Sequence, residues 1–262
     1  MVLAAAICIL PLADILYVVA LRGLPALSLQ TLITPTTGVA GGLANAITGT
    51  ILIVAAALVI AFPIGVFGAL FTSELAPPRL AAWIRSSAEI LTGVPSIVLG
   101  YFGYLTMVVA CGWGFSLLAA ALTLMIMMVP YIMRSSDIAM QKVPAELRHA
   151  SVSLGATNEA TALRVVVRSA IPGVTTGTML AVGIALGETA PLIYTAGFSN
   201  YMPTTKLFHA PVGYLTYVIW TYINEPFASA HALAYAAAFV LIVMVLCFNA
   251  IGRAVLRRHS LS

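Results

Sequence analysis

The chain has 262 residues, 61% of them apolar and only 8% charged, with 12 basic residues against 8 acidic ones and a net charge of +4. A soluble globule carries about 25% charged residues, so lipid must be the solvent for most of this chain, and a soluble enzyme is excluded. The basic residues flank hydrophobic runs rather than forming a water-exposed patch, so the positive balance reports orientation in a bilayer and not nucleic-acid binding.

Residues 23–73, 90–133, 169–187 and 226–252 contain no Lys, Arg, Asp or Glu. A span needs roughly 20 apolar residues, and amides in hydrocarbon are satisfied only within helices or a closed barrel. No period-two alternation is visible. The predicted fold class is therefore an all-α membrane protein of about six transmembrane helices, with no polar stretch long enough to bury a separate soluble core.

In chain order, residues 1–42 hold a first helix, about 2–21, with Asp14 inside it, and an external connection rich in Thr, Gly and Pro. No basic n-region or small-residue cleavage site marks it as a signal peptide, so it is expected to be retained. The lack of Lys or Arg ahead of it points to a start codon assigned too far downstream. A second span, about 43–71, contains Pro63, which should bend it. Residues 72–91, with Glu74, Arg79, Arg85, Glu89 and Trp83, suit a loop and an interfacial amphipathic helix.

The stretch 94–133 is too long for one helix at about 1.5 Å per residue, and Cys111-Gly112-Trp113-Gly114 is a turn signal; spans 94–110 and 115–133 follow. Residues 134–168 carry five basic side chains (Arg134, Lys142, Arg148, Arg164, Arg168) and are expected to form a water-facing loop. A fifth span, 172–197, contains Glu188; a sixth, 231–252, is followed by a basic tail, 253–262, with Arg253, Arg257 and Arg258. Between them, 199–227 should lie outside, with Tyr214, Tyr217, Trp220 and Tyr222 as an interfacial belt or as a landing site for an external solute-binding protein. Placing 72–91, 134–168 and 253–262 on one side leaves only Arg22 and Lys206 on the other, so those segments and both termini are expected in the cytoplasm.

Catalytic chemistry finds no support. Cys8, Cys111 and Cys247 lack CxxC spacing and read as small apolar filler; His209 and His231 have no partner at metal-ligand spacing. Neither a GxSxG elbow nor a GxxxxGK[ST] nucleotide cradle occurs, so no cofactor and no ATP site are expected. Glu188 stands apart, because an ionisable residue inside an apolar span marks a pathway or, alternatively, a buried structural pair. Gly93-Val94-Pro95-Ser96 reads as a plain helix start, with an anion-friendly terminus as the sharper alternative.

Within 134–168, His149-Ala150-Ser151, then Gly155, then Ile171-Pro172 resemble the cytoplasmic loop of ABC importer permeases, whose pattern is Glu-Ala-Ala, three residues, Gly, and a downstream apolar-Pro step. His149 stands where that family usually has Glu, and Arg168 where it often has Pro. Leu91-Thr92-Gly93-Val94-Pro95-Ser96-Ile97-Val98-Leu99-Gly100, Ser73-Glu74-Leu75-Ala76 and Gly187-Glu188-Thr189-Ala190-Pro191-Leu192 resemble three segments of PstA-type phosphate permeases, in that family's order, over roughly residues 44–252. Ile184 takes a place where that family usually has Arg.

The resemblance implies a type I ABC importer permease fold over 43–252, in the plasma (inner) membrane, with phosphate as the transported ion; another oxyanion (molybdate, sulfate) and a degenerate, non-transporting subunit are the alternatives. It further implies a PstC-type permease beside this chain, two PstB-type ATPase subunits that use the ATP, and an external PstS-type phosphate-binding protein. Glu188 and Thr189 would lie on the substrate pathway. His149, Ala150, Ser151, Leu154 and Gly155 would form the helix that docks on the ATPase.

Overall fold

A computed structural model describes the backbone of residues 2–259 and the side chains of 7–254. Twelve helices and one small hairpin are found among the described residues. Five helical segments are long and apolar enough to cross a membrane, and a sixth span arises if a pair bent by 97° is counted as one. The all-α membrane class and the six-span architecture thus stand as the sequence predicts.

Helix α1 (Val2–Ala26) lies against α12 (Ala228–His259) at one side of the molecule. The two approach closely at Gly23, where a Cβ would meet the Tyr235 carbonyl oxygen at 2.6 Å. Arg22 Nη1 donates to the Tyr235 hydroxyl at 3.0 Å. After a short α2 (Leu29–Ile33) and the hairpin β1 (Thr36–Thr37) and β2 (Ala40–Gly41), α3 (Ala44–Leu70) begins the central bundle. Pro63 sits inside α3 without ending it, as buried membrane helices tolerate. The buried core is built by α3, α6 (Leu117–Gln141) and α9 (Val167–Gly187), whose Ile53, Leu124, Ile132, Ala181 and neighbours leave almost nothing exposed.

Several boundaries differ from the sequence reading, each for a physical reason. Helix α3 continues into a π-helical turn, Phe71–Leu75. Helix α4 (Pro78–Gly93) is the amphipathic segment, with Trp83 75% exposed, and α5 (Ser96–Gly103) with its π-helical continuation Tyr104–Ala110 leaves it at the 97° bend. The turn at Gly112 and Gly114 is real, both residues having positive φ. Helix α6, however, runs through Arg134 to Gln141 instead of giving way to a loop, because Asp137 is buried against Arg85 and Arg134 reaches Glu89 at the surface.

The rest of 134–168 is likewise helical: α7 (Ala145–Ser153), α8 (Asn158–Thr161) and a π-helical turn, Ala162–Val166, that runs into α9. Arg164 and Arg168 therefore lie on the helix that becomes the span, where long side chains can reach back to the headgroups. The expected 172–197 span is broken: α9 ends at Gly187 and α10 (Ala190–Thr195) restarts after Glu188 and Thr189. Pro191, in the first turn of α10, has no N–H to lose there and favours a new helix start.

On the opposite end, 199–227 is only partly a belt. Trp220 and Tyr201 are exposed, but α11 (Leu215–Tyr222) packs on α12 and α3, and Tyr214 and Tyr222 are core residues. Asn45 ties this cap together: its Oδ1 accepts the Thr36 amide at 3.0 Å, and its Nδ2 donates to Thr36 Oγ1 at 2.9 Å and to the Ser199 carbonyl at 2.8 Å. The three cysteines lie on the uncovered outer surface and not in the core. In the 253–262 tail the helix continues to His259, while the side chains of Arg257 and Arg258 lie outside the described residues.

Candidate functional site: a broken membrane helix and a cytoplasmic docking helix

Glu188 and Thr189 occupy the break between α9 and α10. Glu188 is extended (φ −71°, ψ 131°), half-buried, and lines a narrow crevice with Ile184, Met127, Met128 and Tyr131. The Thr216 hydroxyl of α11 donates to its carbonyl at 2.7 Å, which holds the broken backbone from a third helix. Ser96, the first residue of α5, sits beside its carboxyl group. Among the described residues no Lys or Arg pairs with it. Thr189 is the N-cap residue of α10 but does not cap it with its side chain.

Two segments far apart in sequence meet here. A Cβ on Gly100 would come within 2.5 Å of Pro191 Cα, so α5 and α10 touch backbone to backbone. Only glycine permits that approach. Beside it, Tyr101 packs edge-on to Tyr194 at 5.9 Å, and Tyr104 lies 6.2 Å from Phe115, ring centroid to ring centroid, forming an aromatic wall next to the break.

At the end of the bundle expected to face the cytoplasm, the five residues expected to dock on an ATPase fall together on α7 and its C-cap. The Gly155 amide donates to the Val152 carbonyl at 2.9 Å and the Ala156 amide to the Ser151 carbonyl at 3.2 Å, a Schellman stop that needs the left-handed backbone of Gly155 (φ +88°). No residue of α7 is buried. Leu154 is 90% exposed, and Leu147 and Val152 are exposed beside it. A helix bearing apolar side chains into water has a face that fits a partner.

Sequence reasoning missed how α7 is fastened. Arg148 Nε and Nη2 donate to Glu74 Oε2 and Oε1 at 3.0 and 2.8 Å. The same guanidinium donates to the Met140 carbonyl at 2.9 Å and to the Val143 carbonyl, at and just past the end of α6. Hydrogen bonding to Glu74 raises the Arg148 pKa, against a smaller opposing effect of burial. A raised folded-state value contributes stability at every pH below the ordinary arginine range, so the arginine side of this pair does not titrate in a cell.

A second network lies alongside. Asp137, 5% exposed, accepts from Arg85 Nε at 2.8 Å, Arg85 Nη2 at 2.9 Å and Gln141 Nε2 at 2.8 Å. The Thr72 hydroxyl lies 3.0 Å both from Asp137 Oδ1 and from the Ala69 carbonyl, and the Thr72 carbonyl accepts from Arg85 Nη2 at 2.9 Å. Arg134 and Glu89 add an exposed pair between α6 and α4. The available signal was spacing: Arg134, Asp137 and Gln141 share one face if α6 continues, as do Arg85 and Glu89 on α4. Among the described residues, no group of three or more His, Cys, Asp or Glu is placed to hold a metal ion.

A polytopic bundle with a broken helix in its interior and an exposed short helix at one end is an arrangement suited to a membrane transport subunit. Residues 61–260 match the family model "binding-protein-dependent transport system inner membrane component". The phosphate transport system permease protein PstA 2 of Mycobacterium bovis is 42% identical over 95% of this chain and 82% of its own length. PstA of Xylella fastidiosa is 35% identical over 92% and 84%. A probable ABC transporter permease protein, YqgI, of Bacillus subtilis is 32% identical over 96% and 90%. Among solved structures, an inward-facing form of the MetNI methionine ABC transporter superposes with a TM-score of 0.71 at 19% identity, over 83% of this chain and 95% of that one, a likeness of fold. The chain belongs to the binding-protein-dependent transport system inner membrane components and, within them, to the PstA-type permeases. It is an inner-membrane, multi-pass ABC permease subunit that works with an ATPase and a solute-binding protein.

Proposed function

We propose that this chain forms half of the translocation path of an ATP-driven importer of inorganic phosphate, paired with a PstC-type permease, served by two PstB-type ATPases and fed by an external PstS-type phosphate-binding protein. Its relatives named as phosphate permeases support the substrate. Residues 199–227 face outward and α7 faces the cytoplasm, in keeping with the basic-residue asymmetry. The observation that carries the reading is the interruption at Glu188 and Thr189, held against α5 inside the bundle. Broken helices at membrane depth are tolerated where they line a cavity or path.

Glu188 has a direct use there. A lone ionised carboxylate in low dielectric is costly and would repel phosphate. Paired with a cation from the neighbouring permease, or neutral, it would not. A carboxylate also accepts the proton that phosphate still carries at neutral pH, whereas fully ionised sulfate has none to offer. Docking of the ATPases on His149, Ala150, Ser151, Leu154 and Gly155 would drive the alternation between outward and inward access.

The test is radiolabelled phosphate uptake in cells lacking other phosphate importers, with assembly followed by pull-down of the tagged chain. Glu188→Gln should leave the complex assembled and lower uptake at least about tenfold, the loss expected of a polar group aimed at a bound ion. Normal uptake would remove Glu188 from the pathway.

A further inference from the structure

The π-helical turn Phe71–Leu75 is where both cytoplasmic networks converge. From α7, Arg148 reaches Glu74 with two hydrogen bonds. From α4, Arg85 reaches the Thr72 carbonyl, and from α6, Asp137 lies within hydrogen-bond distance of the Thr72 hydroxyl while binding Arg85. Helix α4 then turns through 97° into α5, whose first residue, Ser96, sits beside Glu188 and whose Gly100 touches Pro191. Every step from the exposed helix α7 to the broken helix is thus a contact or a chain connection. Along it Thr72 and Asp137 are buried and Glu74 and Arg148 are partly so, and π-helical turns frequently occur at functional sites.

We propose that Arg148 is a positioning residue that carries displacement of α7 by the ATPase into the Phe71–Leu75 turn through Glu74, and from there through Arg85 and α4–α5 to the break at Glu188. This rests on α7 being the docking helix. A planar guanidinium suits the task, since it holds a carboxylate at two points and at once the carbonyls of Met140, in α6, and Val143, just past its end, whereas a lysine is a single point charge. The contacts are with the C-terminal ends of α3 and α6, so α7 cannot shift without pulling on both.

The assembled importer in proteoliposomes, supplied with phosphate-loaded binding protein, gives the readout: phosphate taken up per ATP hydrolysed. Glu74→Gln and Arg148→Lys should each keep the ATPase bound and basal ATP turnover near wild type, and lower the uptake-to-ATP ratio about tenfold, an ordinary size for coupling between sites. The double variant should be no worse than either single one, because both cut the same link. A wild-type ratio in Glu74→Gln overturns the proposal whatever Arg148→Lys does, since that change leaves the α7 surface intact. Failure of both variants to assemble overturns it as well, because the pair would then be holding the fold. Gly155→Arg separates the underlying reading: a wild-type ratio there would remove α7 as the docking helix, whereas an uncoupled Gly155→Arg beside a normal Glu74→Gln would count against the relay alone.

Discussion

Asp137 shows what a buried charge needs in this molecule. At 5% exposure it is tolerable because Arg85, Gln141 and Thr72 surround it. Removing one partner of such a pair leaves the other unmatched, at a cost of about 3–5 kcal/mol when both are buried. Arg85 keeps 37% of its side chain in water, so Asp137→Ala should cost less than that. The check is the melting temperature of the purified complex in detergent, which should fall by several degrees; an unchanged value would mean that the network is dispensable. Ile184 makes the complementary case. It lines the crevice that Glu188 enters, one turn earlier on α9. Ile184→Arg can therefore reach a carboxylate, and should insert and sustain uptake. Leu180→Arg, on a side chain that is 56% exposed on the outer surface of the same helix, should impair insertion. Equal behaviour of the two arginines in membrane-fraction blots and uptake would sink the argument.

At the scale of helices, close backbone approach decides what can be changed. Gly100→Ala would drive a Cβ into Pro191, while Gly93→Ala, in the same quoted motif, meets nothing within 4 Å. The first should abolish most phosphate uptake by parting α5 from α10, and the second should be neutral; uptake by the two strains compared side by side decides it. The long apolar runs and the Gly112–Gly114 turn were legible in the residues, because lipid exposure and chain reversal leave a compositional mark. The continuation of α6 to Gln141 was not. Its charges read as solvated, and only the approach of Arg85, 52 residues away along the chain, makes Asp137 internal. Nor was the break at Glu188 legible as a break, since Gly187 and Pro191 are each tolerated within membrane helices and only their joint effect ends one and starts another. The five residues proposed to dock did fall together, since a short helix with its glycine stop is a local structure.

For the whole molecule, orientation is the property that the distribution of basic residues constrains. Single cysteines at Tyr201 and Ser153, both exposed positions, on a background without Cys8, Cys111 and Cys247, should react asymmetrically with an impermeant thiol reagent applied to intact cells. Labelling at 201 and protection at 153 is expected; the reverse would invert the topology. The bare leucine at the tip of α7 has a last consequence, for the lifetime of the chain. With the ATPase docked on α7 as proposed, Leu154 would be covered; before that it offers water and the quality-control machinery an apolar handle, and a subunit made in excess carries that handle for as long as it waits. Proteases then become the accountants of stoichiometry: in a pulse-chase experiment the orphan chain should decay several times faster than the assembled one, and Leu154→Ser should lengthen its survival.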